Sequence, residues 1–192
     1  MKPTILVTAP VTTRSGYGNH SRDLCRALIE SDKYDVKINA VPWGNTPMNA
    51  LNENNPNDKM ITDRLLQNPQ LPKQPDLHIH IVIPNEFNPV GKYNIGITAG
   101  LEMTVCPPAW IEGMNRMDLN LVSSQHSKNV ALQTHFELKD NQGQVTSKGK
   151  LEKPCEVLFE GLDLDKYYKK PSKSDILKDI HEDFCFFIVY IK

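Results

Sequence analysis

Hydrophobic and polar positions alternate along this chain in two periods, and the switches between them mark the elements. Ile5-Leu6-Val7-Thr8-Ala9 is a short, mostly apolar run, the pattern of a strand buried on both faces of a parallel sheet. A loop rich in Thr, Ser and Gly follows from Pro10 to Gly18. Leu24, Cys25, Ala27 and Leu28 then recur at helical spacing through Glu30, with Asn19 or Ser21 as the expected cap. Tyr34 to Val41 alternates as a second strand. The excursion Pro42 to Asp58 is polar and rich in Asn and Pro; a short helix is expected over Met60 to Leu66 and a Pro-rich connector over Asn68 to Pro75.

Further strands are expected at Leu77–Ile83, Tyr93–Ala99, Leu119–Val122 and Cys155–Phe159. Helices are expected to start at Pro107-Pro108, because proline fits a first turn, and at Ser124, running to about Thr134. The polar stretch Glu137 to Lys153, with the turn signal Asp140-Asn141-Gln142-Gly143, reads as a hairpin insertion. A last helix over Ser174–His181 and a strand over Phe184–Ile191 complete the pattern. Strands alternating with helices predict an α/β fold: a Rossmann-like parallel sheet with helices on both faces. Ligands of such sheets sit beyond the carboxyl ends of the strands. The loops after the first, fourth, fifth and sixth strands are therefore the candidate site.

Composition narrows the function classes. The chain has 192 residues, of which 39% are hydrophobic and 23% charged, ordinary globular usage. The net charge is −1, so there is no basic excess for a nucleic-acid backbone and no nucleic-acid partner is expected. Cys25, Cys106, Cys155 and Cys185 form no C-x-x-C pair and read as reduced thiols in or near the core. No run approaches the roughly 18 apolar residues of a membrane span. The apolar run near the N-terminus is too short for a signal peptide, so a cytoplasmic location is expected and peripheral membrane association is not evident.

Three segments could carry chemistry. Arg14-Ser15-Gly16-Tyr17-Gly18-Asn19 follows the first strand and opens a helix. Glycines let a ligand approach the backbone, and the helix start aims N–H groups and its positive dipole end at an anion such as a diphosphate. The alternative is a tight strand-to-helix turn with no ligand. The segment is neither G-x-G-x-x-G nor a Walker A loop. Thr98-Ala99-Gly100-Leu101-Glu102-Met103-Thr104 ends the fourth strand; Glu102 could accept from sugar hydroxyls or act as a base, or simply cap the next helix. Ser123-Ser124-Gln125-His126-Ser127-Lys128 combines hydroxyls and a lysine at a helix start. It suits an anionic or polyhydroxyl ligand, or reflects N-capping by Ser124. His20 could face the glycine loop. His78 and His80 share one face of the third strand, but no third metal ligand is evident and a structural role is expected for both. Trp43 and Trp110 are expected to pack.

The order of four motifs resembles the N-terminal half of GT-B glycosyltransferases, in particular the large retaining group called glycosyltransferase family four. The motifs are S-G-Y-G-N-H-S-R-D-L, then L-E-M-T with P-P-A-W, then M-D-L-N-L-V-S-S-Q-H-S-K, then V-L-F-E-G-L-D-L-D-K-Y-Y, across residues 3 to 170. The resemblance implies a nucleotide-sugar donor as substrate, a sugar, lipid or protein acceptor held mainly by this domain, and no metal or other cofactor. It implies that Gly16 and Gly18 lie near the donor diphosphate; Arg14, Tyr17, His20 and Lys128 are further candidate substrate-binding residues. Glu102, Thr104 and Ser124 would line the cleft, and Gly161 marks the exit from the domain. Many members carry a histidine where this chain offers Glu102, its candidate catalytic residue. By the same resemblance, residues 1–170 form the N-terminal domain, and 171–192 a linker helix and the first strand of a truncated second domain. The partner would then be that second domain, on this or on a separate chain, and the chain alone is expected to be inactive. Two other readings compete: a non-catalytic module binding an anion or a partner, and a nicotinamide-dependent enzyme. The second is opposed by the absence of an acid in Ala40-Val41-Pro42-Trp43, where a ribose would be held.

Overall fold

The computed structural model describes residues 2–68, 70–100 and 103–161. Its central feature is a sheet of six parallel strands. These are β1 (Thr4–Ala9), β2 (Asp35–Ala40), β3 (Leu77–Ile81), β4 (Tyr93–Thr98), β5 (Leu119–Val122) and, after a separate hairpin, β8 (Cys155–Val157). The spatial order is β2-β1-β3-β4-β5-β8, with every neighbouring pair parallel. This is the expected α/β architecture. Among the described residues no helix is long and apolar enough to cross a membrane.

The two faces of the sheet differ. Ile5, Val7, Ala9, Val36, Ile38, Ile79, Ile81 and Ile97 alternate onto one face and form an apolar core. Helix α1 (Gly16–Glu30) covers it with Leu24, Cys25 and Leu28, and α2 (Pro56–Thr62) adds Ile61. The run Ile5–Ala9 predicts a strand apolar on both sides, yet the opposite face of the sheet carries Thr8, His78, His80, Asn94, Thr98 and Asn120, all buried. Most polar groups there are paired, as burial favours, although Asn120 Oδ1 and His78 Nδ1 have no partner among the described residues. Asn120 Nδ2 donates to Met114 O at 2.9 Å, and Asn94 Nδ2 donates to Gly91 O at 3.1 Å. Toward β8 this face becomes apolar again. Val82, Phe87, Val122 and Cys155 pack there with Ile111 and Met114 of α3 (Pro108–Asn115) and with Val130 and Ala131 of α4 (Gln125–Gln133). Close approach sets two glycines in this layer: a Cβ on Gly113 would lie 1.8 Å from the backbone Pro84 O, and one on Gly96 would strike the Phe87 ring.

Several boundaries differ from expectation for local reasons. Helix α1 starts at Gly16 rather than near Asn19, because Ser15 is the N-cap and accepts from Gly18 N–H at 2.9 Å. Helix α2 starts at Pro56, not Met60. Asn55 caps it by accepting from Asn57 N–H, and proline occupies its first position. It ends at Thr62, so Arg64–Leu66 are free to pair with the outer edge of β2. Ile38 N–H donates to Arg64 O at 2.9 Å and Leu66 N–H to Ile38 O at 2.8 Å, in a parallel bridge. If this bridge is numbered as the third strand, the order becomes 3-2-1-4-5-6-7, the dinucleotide-binding arrangement extended by one strand. Strand β3 ends at Ile81 and β8 at Val157, both short of the expected limits. The expected insertion is a two-stranded antiparallel hairpin, β6 (His135–Lys139) and β7 (Val145–Lys150). One compact unit runs to Glu160. The expected boundary near residue 170, the helix at 174–181, the strand at 184–191 and Cys185 lie outside the described residues.

Candidate functional site

At the carboxyl end of the sheet the turns after β1, β4 and β5 are tied together by side chains. Tyr17, in the first turn of α1, shares a 2.8 Å hydrogen bond with Thr98 Oγ1, and its hydroxyl accepts from Ala99 N–H at 3.1 Å. Its ring stacks on Trp43 with centroids 4.1 Å apart. Trp43 thus packs, as expected, but on a residue of the candidate site. Ser123 Oγ donates to Ala99 O, which ties the turn after β5 to the turn after β4. Between them sits Gly100 at φ +106°, and a Cβ there would also lie 2.2 Å from Ser127 Oγ. Glycine is required at that point twice over.

The glycine segment separates into two roles. Gly16, exposed at the first position of α1, has no heavy atom within 4 Å of a built Cβ, so a side chain there would meet open space. Among the described residues, the Gly16 and Tyr17 N–H groups donate to no partner. Such groups at a helix start are ready donors to an anion. Gly18 is buried, and a Cβ on it would lie 2.3 Å from Thr13 O and 3.0 Å from Pro10 O. Its small size serves the packing of helix on loop rather than the approach of a ligand. Arg14 donates from Nε to Asn49 Oδ1 at 2.8 Å and from Nη2 to Asn49 O at 3.2 Å, so it anchors the 42–55 excursion over the loop. Thr13 Oγ1 bonds Ser15 Oγ at 2.8 Å, which orients the cap.

The remaining candidates fall into three groups. Ser124 caps α4, accepting from Ser127 N–H at 3.1 Å and bonding Ser127 Oγ at 3.0 Å, so the capping reading holds. Lys128 Nζ lies 2.6 Å from Glu156 Oε2, an ion pair rather than an open cation. His20 Nδ1 lies 3.8 Å from Glu160 Oε1, which links α1 to the segment after β8. Thr104 and Gly161 are both exposed, and nothing lies within 4 Å of a Cβ built on Gly161. Glu102 lies outside the described residues.

Sequence reading missed one residue that shapes the loop. Arg22 is buried in α1, and its Nη1 donates to Val11 O and Thr13 O, each at 2.8 Å, while Nη2 donates to Asn19 Oδ1. Burial lowers its pKa, with Arg26 adding to the effect. The available signal was an arginine one turn after the glycine pair, on the face that meets the loop. His78 and His80 take the expected structural place. His78 Nε2 shares a 3.0 Å hydrogen bond with Thr8 Oγ1, and His80 Nδ1 accepts from Asn88 N–H at 3.1 Å. Burial pushes both rings down to about 4. The Asn94 side chain lies close enough to favour the charged form of His78, yet His78 Nδ1 has no hydrogen bond of normal geometry. The thiols are buried, and burial raises Cys25 to about 12 and Cys155 to about 11. No group of three metal-ligating side chains occurs among the described residues. No protein-family model, curated protein or solved structure matches the chain.

Proposed function

We propose that this chain is the acceptor-side Rossmann-like domain of a nucleotide-sugar-dependent glycosyltransferase, which moves a sugar to an acceptor when completed by a second domain. The observation that carries the reading is the open start of α1. Gly16 faces free space, the first two amides of the helix have no partner among the described residues, and Tyr17 joins that turn to the turn after β4. These amides offer hydrogen bonds and a positive dipole end to a diphosphate whose charge grows as the sugar leaves. Tyr17 and Ser123 hold the turn that leads to Glu102, the group proposed to accept from an acceptor hydroxyl. The strand order, counted with the Arg64–Leu66 bridge, agrees with a nucleotide-binding sheet. The four ordered motifs supply the chemical class.

The test is transfer. The chain joined to a second Rossmann domain of the same group is incubated with labelled UDP- and GDP-sugars and a panel of sugar, lipid and protein acceptors. Labelled product and free nucleoside diphosphate are expected, with a loss of tenfold or more in Gly16→Ala. A folded fusion that turns over no donor contradicts the proposal. Saturable donor binding by the 192-residue chain without turnover in the fusion favours the non-catalytic module instead.

A further inference from the structure

The crossover from the β2 edge to β3 is not a helix among its described residues. Its prolines, Pro72 and Pro75 among them, cannot supply helix-interior N–H groups. An extended segment covers less of a sheet than a helix does. The result is a half-open cavity of about 370 Å³ on the polar face, between β2, β1 and β3, lined on the sheet side by Leu6, Thr8, Asn39, His78 and His80. That volume is in the range of small-molecule sites, roughly 300–1,000 Å³. The facing walls are pinned: Gln74 Nε2 donates to Val90 O at 3.3 Å, joining the crossover to the loop before β4.

The lining is chemically one-sided. Asn88 N–H donates to His80 Nδ1, so the neutral ring carries its proton on Nε2, and that N–H has no partner among the described residues. His80 is only 8% exposed. The Asn39 carboxamide and the Lys73 ammonium also line the cavity without a hydrogen bond or ion pair among the described residues. Among the described residues no carboxylate lines it. The acid next to β3, Asp76, is held elsewhere by Thr4 N–H at 2.9 Å and Lys92 Nζ at 2.7 Å. Leu6 and Val90 supply apolar wall.

We propose that this cavity is a second ligand site, separate from the carboxyl-end site, which takes a small organic oxyanion with a compact apolar body. The oxyanion accepts from His80 Nε2–H and the Asn39 carboxamide, Lys73 closes the rim, and the apolar body rests on Leu6 and Val90. A carboxylate and a phosphate ester share this chemistry.

Nitrogen-labelled full chain is titrated with benzoate, with phenyl phosphate and, as the neutral control, with benzyl alcohol. The His80 ring and Asn39 side-chain signals are followed. Saturable shifts with either anion are expected, the tighter one identifying the natural head group, and benzyl alcohol should bind at least about tenfold more weakly, the loss of one charge-assisted hydrogen bond. Lys73→Gln changes an exposed residue and should weaken the anions several-fold. Val90→Trp, at another exposed position, fills the mouth and should abolish the shifts. No saturable shift, equal binding of the alcohol, or shifts unaffected by Val90→Trp would overturn the proposal.

Discussion

Gly16 and Gly18 stand two positions apart, and the physics of each is opposite. At Gly16 an added methyl meets nothing, and the position is the first of a helix, so Gly16→Ala should leave stability unchanged or raise it by up to about 1 kcal/mol. At Gly18 the same methyl would lie 2.3 Å from a backbone carbonyl that cannot swing aside. Gly18→Ala should cost about 1–3 kcal/mol. Urea unfolding of the two variants checks both signs. Tyr17→Phe keeps the stack on Trp43 but strips Ala99 N–H and Thr98 Oγ1 of a partner, a loss of about 1–2 kcal/mol, readable in the same unfolding series. The sequence marks this segment as a candidate site, but not which glycine serves packing and which leaves space. That division depends on where Pro10 and Thr13 carry their carbonyls, and residue pattern alone does not encode it.

At the scale of elements, the strands were legible because their apolar alternation is strong, and α4 because Ser124 is a good cap just after a strand. Helix α2 was misplaced because Met60, Ile61, Leu65 and Leu66 look like one apolar helix face. The capping chemistry of Asn55-Pro56 set the start instead, and the β2 edge took the last two residues as a bridge. Arg22 was overlooked because a buried arginine looks like any other helix-surface arginine in sequence. In the fold it clamps the loop from α1. Arg22→Met would leave Val11 O and Thr13 O buried without donors and should destabilise by about 2–4 kcal/mol. Arg22→Lys should recover only part of this, because an ammonium lacks the planar fork that reaches both carbonyls. Thermal unfolding of wild type, Met and Lys variants should rank in that order, with Lys in the middle.

Across the whole molecule, the polar face makes folding sensitive to acid. His78 and His80 are held near 4 in the folded chain, against an ordinary value of 6.5. The unfolded chain therefore takes up protons below pH 6.5 that the folded chain refuses. Their contribution is fully present above 6.5 and is lost as pH falls toward 4. In that window each ring should lower stability by about 1.4 kcal/mol per pH unit, to a total of about 3 kcal/mol per ring. Urea midpoints at pH 7, 5.5 and 4.5 should fall accordingly. His80→Phe should flatten the fall if it folds, and the ring titrations by NMR give the same answer without a variant. The α/β class followed from the strand and helix alternation, but this buried polar face did not. Histidine and asparagine at alternate strand positions look like a solvent face until the layer covering them is known.

The start of α1 is proposed to receive the phosphates of a nucleotide sugar. The most direct test maps backbone amide shifts of the labelled chain during titration with UDP-glucose and GDP-mannose at millimolar concentrations. Saturable shifts are expected at Gly16, Tyr17 and Gly100, with Gly18 as the bystander packed beneath them, and their loss in a folded Gly16→Ala. Saturation with no shift at Gly16 or Tyr17, or shifts that persist unchanged in Gly16→Ala, would contradict it.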